Sequence, residues 1–247
     1  MKEESQKTEI VVNLEEEDKK YRKLSGYVGL TARILAITLP LYSFFYIMNF
    51  FSKIGIFIYS GTHNAIFLAI VLTLVFFLVP AHKSAPRDRV PWYDVILITS
   101  SLVGILYIAI EYENLLSAGG IGISVPQQIL GFLTILVLLE AVRRTMGWAM
   151  ICVVLFFIVH AKFTYLFPGI LAGPQFSWAR VLNYLYLSNQ GIFGMVLGIA
   201  TTVIVSFMIF GAFLDVSGAG DTFMKLSLAL LGHVRGGPAK VAVVGSA

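Results

Sequence analysis

Charge is what this sequence has least of. Asp, Glu, Lys and Arg make up only 13% of its 247 residues, while the apolar set AVILMFWYC makes up 57%. A soluble domain carries about a quarter charged residues. The shortage excludes a disordered chain, a coiled coil and an ordinary water-soluble domain, and points to lipid as the main solvent. Cysteine is nearly absent as well. Cys152, inside an apolar run, is the only one, so an intramolecular disulfide and a thiolate zinc site are both excluded. It reads as a small buried apolar residue. The catalytic signatures HExxH, GxSxG and the P-loop are missing. No catalytic residue, metal site or resident cofactor is therefore assigned.

What is present is a series of long apolar runs. Six are readable, at Leu30–Phe51, Asn64–Pro80, Tyr93–Ile110, Val125–Val142, Trp148–Leu166 and Gly191–Leu214. Their lengths suit a bilayer, which needs about 20 apolar residues per helix. Helix is the required form, because a lone strand leaves its backbone polar groups unpaired in lipid. The expected fold is thus an all-α polytopic integral membrane protein with about six transmembrane helices. After the sixth span, Ser217-Gly218-Ala219-Gly220-Asp221 reads as a turn with Asp221 capping a helix. Phe223, Leu226, Leu230 and Val234 then recur at helical spacing, which predicts an amphipathic helix in the membrane interface. Gly236-Gly237-Pro238 breaks that helix, and Ala239–Ala247 begins a new apolar segment. The sequence is therefore expected to be the front part of a longer protein.

The 18 Lys and Arg residues are distributed unevenly. Alternating spans place Lys53, Lys162 and Arg180 on one side of the membrane and all the others on the opposite side. Positive charge collects in the cytoplasm, so the expectation is a multi-pass protein of the inner or plasma membrane with a cytoplasmic N-terminus. The net charge of +4 is explained by topology and needs no nucleic acid. Residues 1–26 form a charged cytoplasmic tail: Met1 to Lys23 read as solvated, with a short helix near Leu14–Leu24. The apolar segment that follows is too long for a signal peptide's h-region. The 167–190 loop, rich in Tyr and Trp, reads as an interfacial aromatic belt or a docking surface for an external partner.

Ionisable residues within the spans are few. Arg33 lies close enough to a span end to snorkel. Glu140 precedes Arg143 and Arg144 by three and four residues, which predicts a helical ion pair. His160 and Lys162 have no evident partner at depth for a proton relay. Gly194 and Gly198 form a GxxxG spacing, and with Gly211 they read as helix-packing positions. Tyr93-Asp94 with Gly218-Ala219-Gly220-Asp221 is similar to the YD and GxGD pair of intramembrane aspartyl proteases, in which two carboxylates share a proton. Here three spans separate the two motifs and the PAL motif is missing, so that reading stands low among the alternatives.

One pattern is specific. Gly191-Ile192-Phe193-Gly194, Phe210-Gly211-Ala212-Phe213-Leu214, Ser217-Gly218-Ala219-Gly220-Asp221 and Arg235-Gly236-Gly237-Pro238-Ala239-Lys240-Val241-Ala242-Val243-Val244 resemble the large membrane subunit of TRAP transporters (DctM-like). They are most similar to the fused permeases that work with TAXI-type binding proteins. Leu139-Glu140-Ala141-Val142-Arg143-Arg144-Thr145-Met146-Gly147-Trp148 resembles the junction in those fusions. The resemblance is strongest over 185–247, weaker over 127–165, and over 1–126 is one of layout. It implies a four-helix DctQ-like part at 27–145 and the beginning of a DctM-like transport part at 146–247.

The resemblance further implies a sodium-driven secondary transporter importing small organic acids, with Na+ as coupling ion. An extracytoplasmic TAXI-type solute-binding protein delivers the carboxylate, and membrane lipid is the other partner. Gly236, Gly237, Pro238, Ala239 and Lys240, followed by Gly245 and Ser246, correspond to the entry of a re-entrant hairpin near the transport site. Most sodium and substrate ligands are expected beyond residue 247, and the sequence as it stands is not expected to transport alone. Locally, Gly236-Gly237 frees the turn, Pro238 suits a first helical position, and Lys240 reads as a snorkelling cation. The alternative is a non-transporting membrane scaffold or accessory subunit.

Overall fold

The structure is a computed structural model that describes residues 21–82, 84–117 and 124–231, and among these it contains helices and no strand. In chain order the helices are α1 (Gly26–Ile47), α2 (Phe50–Lys53), α3 (Ser60–Leu78), α4 (Trp92–Ser117), α5 (Val125–Met146) and α6 (Trp148–Phe163). Then follow α7 (Trp178–Tyr186), α8 (Met195–Ile199), a π-helical turn (Ala200–Ile204), α9 (Val205–Val216) and α10 (Ala219–Leu231). Six stretches are long and apolar enough to cross a membrane: α1, α3, α4 as far as Leu115, α5, α6 with the 3-10 turn that follows it to Leu166, and the α8–π–α9 run Met195–Val216. The protein is thus a polytopic all-α membrane protein. Its helices lie within about four residues of the expected spans, except that α4 runs on past Ile110 to Ser117, and α1 runs through Pro40.

The chain divides into two compact units, Met1–Thr201 and Thr202–Ala247. In the first, α3 is the central helix. It packs along α4 and also touches α1, α5 and α8. Lipid supplies no hydrophobic drive between helices, so close approach depends on small residues. Gly61, Ala65 and Ala69, four residues apart, form that seam on α3. Leu72 and Phe76 continue it, against Ile98, Ile105, Ile108 and Tyr112 of α4. Buried hydroxyls in these helices bond back into their own backbone: Thr73 donates to the Ala69 carbonyl, Ser101 to Ile98 and Thr134 to Leu130. That satisfies them without a partner helix. Outward positions such as Ile37, Leu41, Phe156 and Phe157 are exposed, as lipid-facing residues are.

Between α5 and α6 the chain turns on one residue, Gly147, at φ +84°. A left-handed backbone of this kind is open to glycine at little cost. The aromatic 167–190 region is more ordered than a loop. It holds α7, whose N-cap Ser177 accepts a hydrogen bond from the Arg180 N–H. Val181 and Tyr186 of α7 are buried against the bundle. The Tyr186 hydroxyl donates to the Gly104 carbonyl at 2.6 Å, and its ring covers Gly131, where an added Cβ would lie 2.9 Å away. An apolar groove of about 830 Å³ runs between α5, α6 and α7, with Leu138, Phe157 and Tyr184 among its walls.

In the second unit α9 ends at a Gly218 turn (φ +72°), and α10 packs back on α9. Asp221 is the third residue of α10, inside its first turn, and not the residue that precedes the helix. Phe223 and Leu226 of this helix are exposed. The short helix expected near Leu14–Leu24 falls mostly outside the described residues, and its described end, Tyr21–Leu24, is not helical. Gly236, Gly237, Pro238, Ala239, Lys240, Gly245 and Ser246 also lie outside the described residues.

Candidate functional site: an arginine–carboxylate knot at one end of the bundle

At the end of the first unit where α3 and α5 finish and α4 begins, five charged side chains meet. Asp94, in the first turn of α4, is fully buried. One carboxylate oxygen accepts from Arg22 Nη2 at 2.6 Å and the other from Arg144 Nη2 at 2.6 Å. Arg144 also donates through Nε to Glu140 at 2.7 Å. Arg143 grips Glu140 with two bonds, Nε at 2.7 Å and Nη2 at 2.8 Å. The pairing read from the helical spacing of Glu140, Arg143 and Arg144 therefore exists, but as one half of a larger network. Arg22, Asp94 and Arg144 have side chains no more than 1% exposed, against about a quarter for Glu140 and Arg143.

The knot is built around a helix end. The last four carbonyls of a helix lack internal partners, and on α3 these belong to Val75, Phe76, Phe77 and Leu78. Val79 N–H bonds to Val75. The next residue is Pro80, which has no N–H to offer Phe76. Arg22 supplies the missing donors: Nη1 reaches Phe76 O at 2.8 Å and Phe77 O at 3.4 Å, and its backbone N–H reaches Leu78 O at 2.8 Å. Its Nε bonds Pro86 O, Arg144 Nη1 bonds Val79 O, and Arg143 Nη2 bonds Ala81 O. Three guanidiniums thus face two carboxylates and the negative end of the α3 dipole, equivalent to about half a charge. The extra positive charge has a partner in the carbonyls. Arg144 lies over the Phe76 ring at 4.9 Å and Arg143 over Trp148 at 5.7 Å, geometries that favour guanidinium.

Arg22 is the residue that sequence reasoning misplaced. Within a charge-dense tail it reads as solvated, yet its side chain is wholly buried. The available signals were Pro80, which strips a donor from a helix end, and Asp94, an acid at the start of an apolar span that needs a cation. Asp94 also bears on the protease alternative. Both of its oxygens are taken by arginines, so it does not form a proton-sharing acid pair.

A second polar node pins α8 to α3. Asn64 Nδ2 donates to Phe193 O at 2.9 Å and Gly194 O at 3.2 Å, and Thr201 Oγ1 donates to Asn64 Oδ1 at 3.0 Å. Gly198 faces this node, an added Cβ lying 3.5 Å from Asn64 Nδ2. Gly194 sits in the turn before α8, packed against the Asn189 backbone. Gly211, in the second unit, has nothing within 4 Å of an added Cβ among the described residues. His160 and Lys162 bond loop carbonyls, Nε2 lying 3.2 Å from Leu171 O and Nζ 2.7 Å from Phe176 O. At the bundle end opposite the knot, Tyr59 hydrogen-bonds Glu113, which raises the phenol above its ordinary pKa. No cluster of three metal-ligating side chains occurs among the described residues.

The fold and the knot define a polytopic helical membrane protein whose buried charges clamp helix ends together. Residues 133–247 match the family model described as "Tripartite ATP-independent periplasmic transporter, DctM component". The matched stretch is therefore similar to the DctM component of TRAP transporters, which is a transporter component. No curated protein and no solved structure matches the chain.

Proposed function

We propose that this chain is a membrane component of a sodium-coupled, binding-protein-dependent TRAP transporter that imports organic acids. The DctM match over 133–247 carries the reading, and the six membrane-crossing stretches agree with it. TRAP transporters work with an extracytoplasmic solute-binding protein. The sequence similarity favours a TAXI-type protein in that role, with Na+ as coupling ion and a small carboxylate as cargo. The knotted first unit serves as the static frame, because two buried arginines and a partly buried third around one helix end resist sliding of α3, α4 and α5 past one another. The N-terminus is cytoplasmic in this reading. Arg22, Arg143 and Arg144 gather at one end of the bundle, and the positive-inside rule assigns that end to the cytoplasm.

The deciding experiment is uptake of a radiolabelled carboxylate into proteoliposomes that hold the transporter, with a TAXI-type binding protein added outside. Accumulation that requires both an inward Na+ gradient and the binding protein supports the proposal. Uptake indifferent to Na+, or to the binding protein, overturns that part of it. Assembly of the chain with a partner but without flux would instead favour the scaffold alternative.

A further inference from the structure

Where α1 crosses the start of α3, the interior holds more polar atoms than partners. Tyr42 and Ser43 come from the last turns of α1 and His63 from the first turn of α3. Ser43 is fully buried and His63 is 1% exposed. The Tyr42 and Ser43 hydroxyls are buried without a hydrogen-bond partner, and neither ring nitrogen of His63 makes a well-formed one. The imidazole is held on its flat faces instead. It stacks on Tyr46 with centroids 3.6 Å apart and planes 3° from parallel, and lies 5.2 Å from the Tyr42 ring. Phe67, a turn further along α3, closes another side at 6.5 Å. From the π-turn the Thr201 backbone approaches the ring as a weak polar partner for one nitrogen and leaves the other open.

This arrangement selects its ligand. A neutral imidazole offers one N–H and one lone pair, and each hydroxyl both donates and accepts. The complement is a small molecule that does both and makes two to four bonds. An anion would lack a cation here. A metal ion would find one imidazole and no carboxylate or thiolate beside it. Tyr46 also lines a pocket of about 280 Å³ together with Asn49, Ser52 and Tyr59. That pocket lies in the α1–α3 connection, at the bundle end opposite the arginine knot, so the same ring that covers His63 borders an opening.

We propose that Tyr42, Ser43 and His63 form an internal hydration site whose ligand is water. Through the pocket walled by Tyr46, the His63 ring N–H exchanges with the aqueous phase at that end. Buried polar side chains in a membrane helix otherwise meet hydrocarbon, and a bound water is a low-cost partner for the polar atoms of these three.

The test is solid-state NMR of the full chain, labelled with 15N-histidine, in lipid nanodiscs. Polarisation is transferred from water protons to the imidazole rings. His82, which is exposed, serves as the wet reference, and the His63 signal is assigned by its loss in His63→Phe. Where that variant fails to fold, the signal is assigned by its through-space contact with the Tyr46 ring. The expected result is a His63 signal in the water-edited spectrum at short mixing times, lost in the Tyr42→Phe/Ser43→Ala double variant. A His63 ring that stays dark while His82 is bright overturns the proposal. So does a water-edited signal that the double variant leaves unchanged.

Discussion

Arg22 and Asp94, 72 residues apart in sequence, meet at 2.6 Å with both side chains buried. The bond ties the segment before the first membrane helix to the start of the third. Arg144, on the other oxygen of Asp94, brings in the end of the fourth. The residues that hold this end of the bundle together thus come from three separate stretches of chain.

Removing the shared acid strips the buried Arg22 guanidinium of its carboxylate and leaves Arg144 with Glu140 alone. Breaking a buried ion pair costs about 3–5 kcal/mol. Asp94→Asn is therefore expected to lower the thermal unfolding midpoint in detergent sharply, and Asp94→Glu to lower it less. An Asp94→Asn midpoint equal to the wild type would show that the knot contributes nothing.

Arg22 acts as both ion pair and helix cap, and the two roles separate by substitution. Arg22→Lys keeps a charge but loses the fork that reaches Asp94 and the Phe76 carbonyl together. We expect it to recover less than half of the stability lost in Arg22→Ala. Chemical denaturation of the two variants gives the comparison.

Gly131 and Gly211 make a matched pair. A methyl at Gly131 meets the Tyr186 ring at 2.9 Å, and such overpacking costs about 1–3 kcal/mol. A methyl at Gly211 meets nothing among the described residues, and alanine in mid-helix is worth about 0.5–1 kcal/mol over glycine. Gly131→Ala should lower the melting temperature, while Gly211→Ala holds or raises it.

The Asn64 node is held by three side-chain hydrogen bonds with no charge involved. Asn64→Leu strips the Phe193 carbonyl of its side-chain donor, at about 1–3 kcal/mol, and loosens Gly194 and Thr201, which keep their bonds to Gly198. Amide hydrogen exchange should then quicken in α8 and the π-turn, and not in α4 or α5. Uniform quickening along the chain would mean the node is not local.

At the opposite end, Glu113 holds the Tyr59 phenol in its protonated form. A raised pKa means that deprotonation comes later as pH rises. Alkaline ultraviolet titration, read as the difference between wild type and Tyr59→Phe, should place Tyr59 above an ordinary tyrosine. In a Glu113→Gln background the same difference should move down. No movement would show that the two do not interact.

The membrane spans were legible because their signal is local. A run of apolar residues long enough to cross a bilayer must be helix whatever surrounds it. The Glu140–Arg143–Arg144 pairing was legible for the same reason, since helical spacing alone brings those residues together. Helix α7 was not seen, because aromatic residues broken by Pro168 and Pro174 look like loop. Its stability comes from burying Val181 and Tyr186 against α5, a contact that sequence does not display. The hairpin-entry residues from Gly236 onward rest on similarity alone.

Sequence by itself determined that this chain lives in a membrane, which six stretches are apolar enough to cross it, and which family the stretch from 133 onward resembles. Each of those follows from composition, run length or a specific string of residues. Only the tertiary structure decided which charges were solvated and which were buried. Arg22 sits in a polar tail by every local measure. It becomes an interior residue because Pro80 leaves a helix end without a donor and Asp94 waits beside it without a cation. Those two needs arise far apart in sequence and are met by one side chain, which is visible only once the helices stand next to each other.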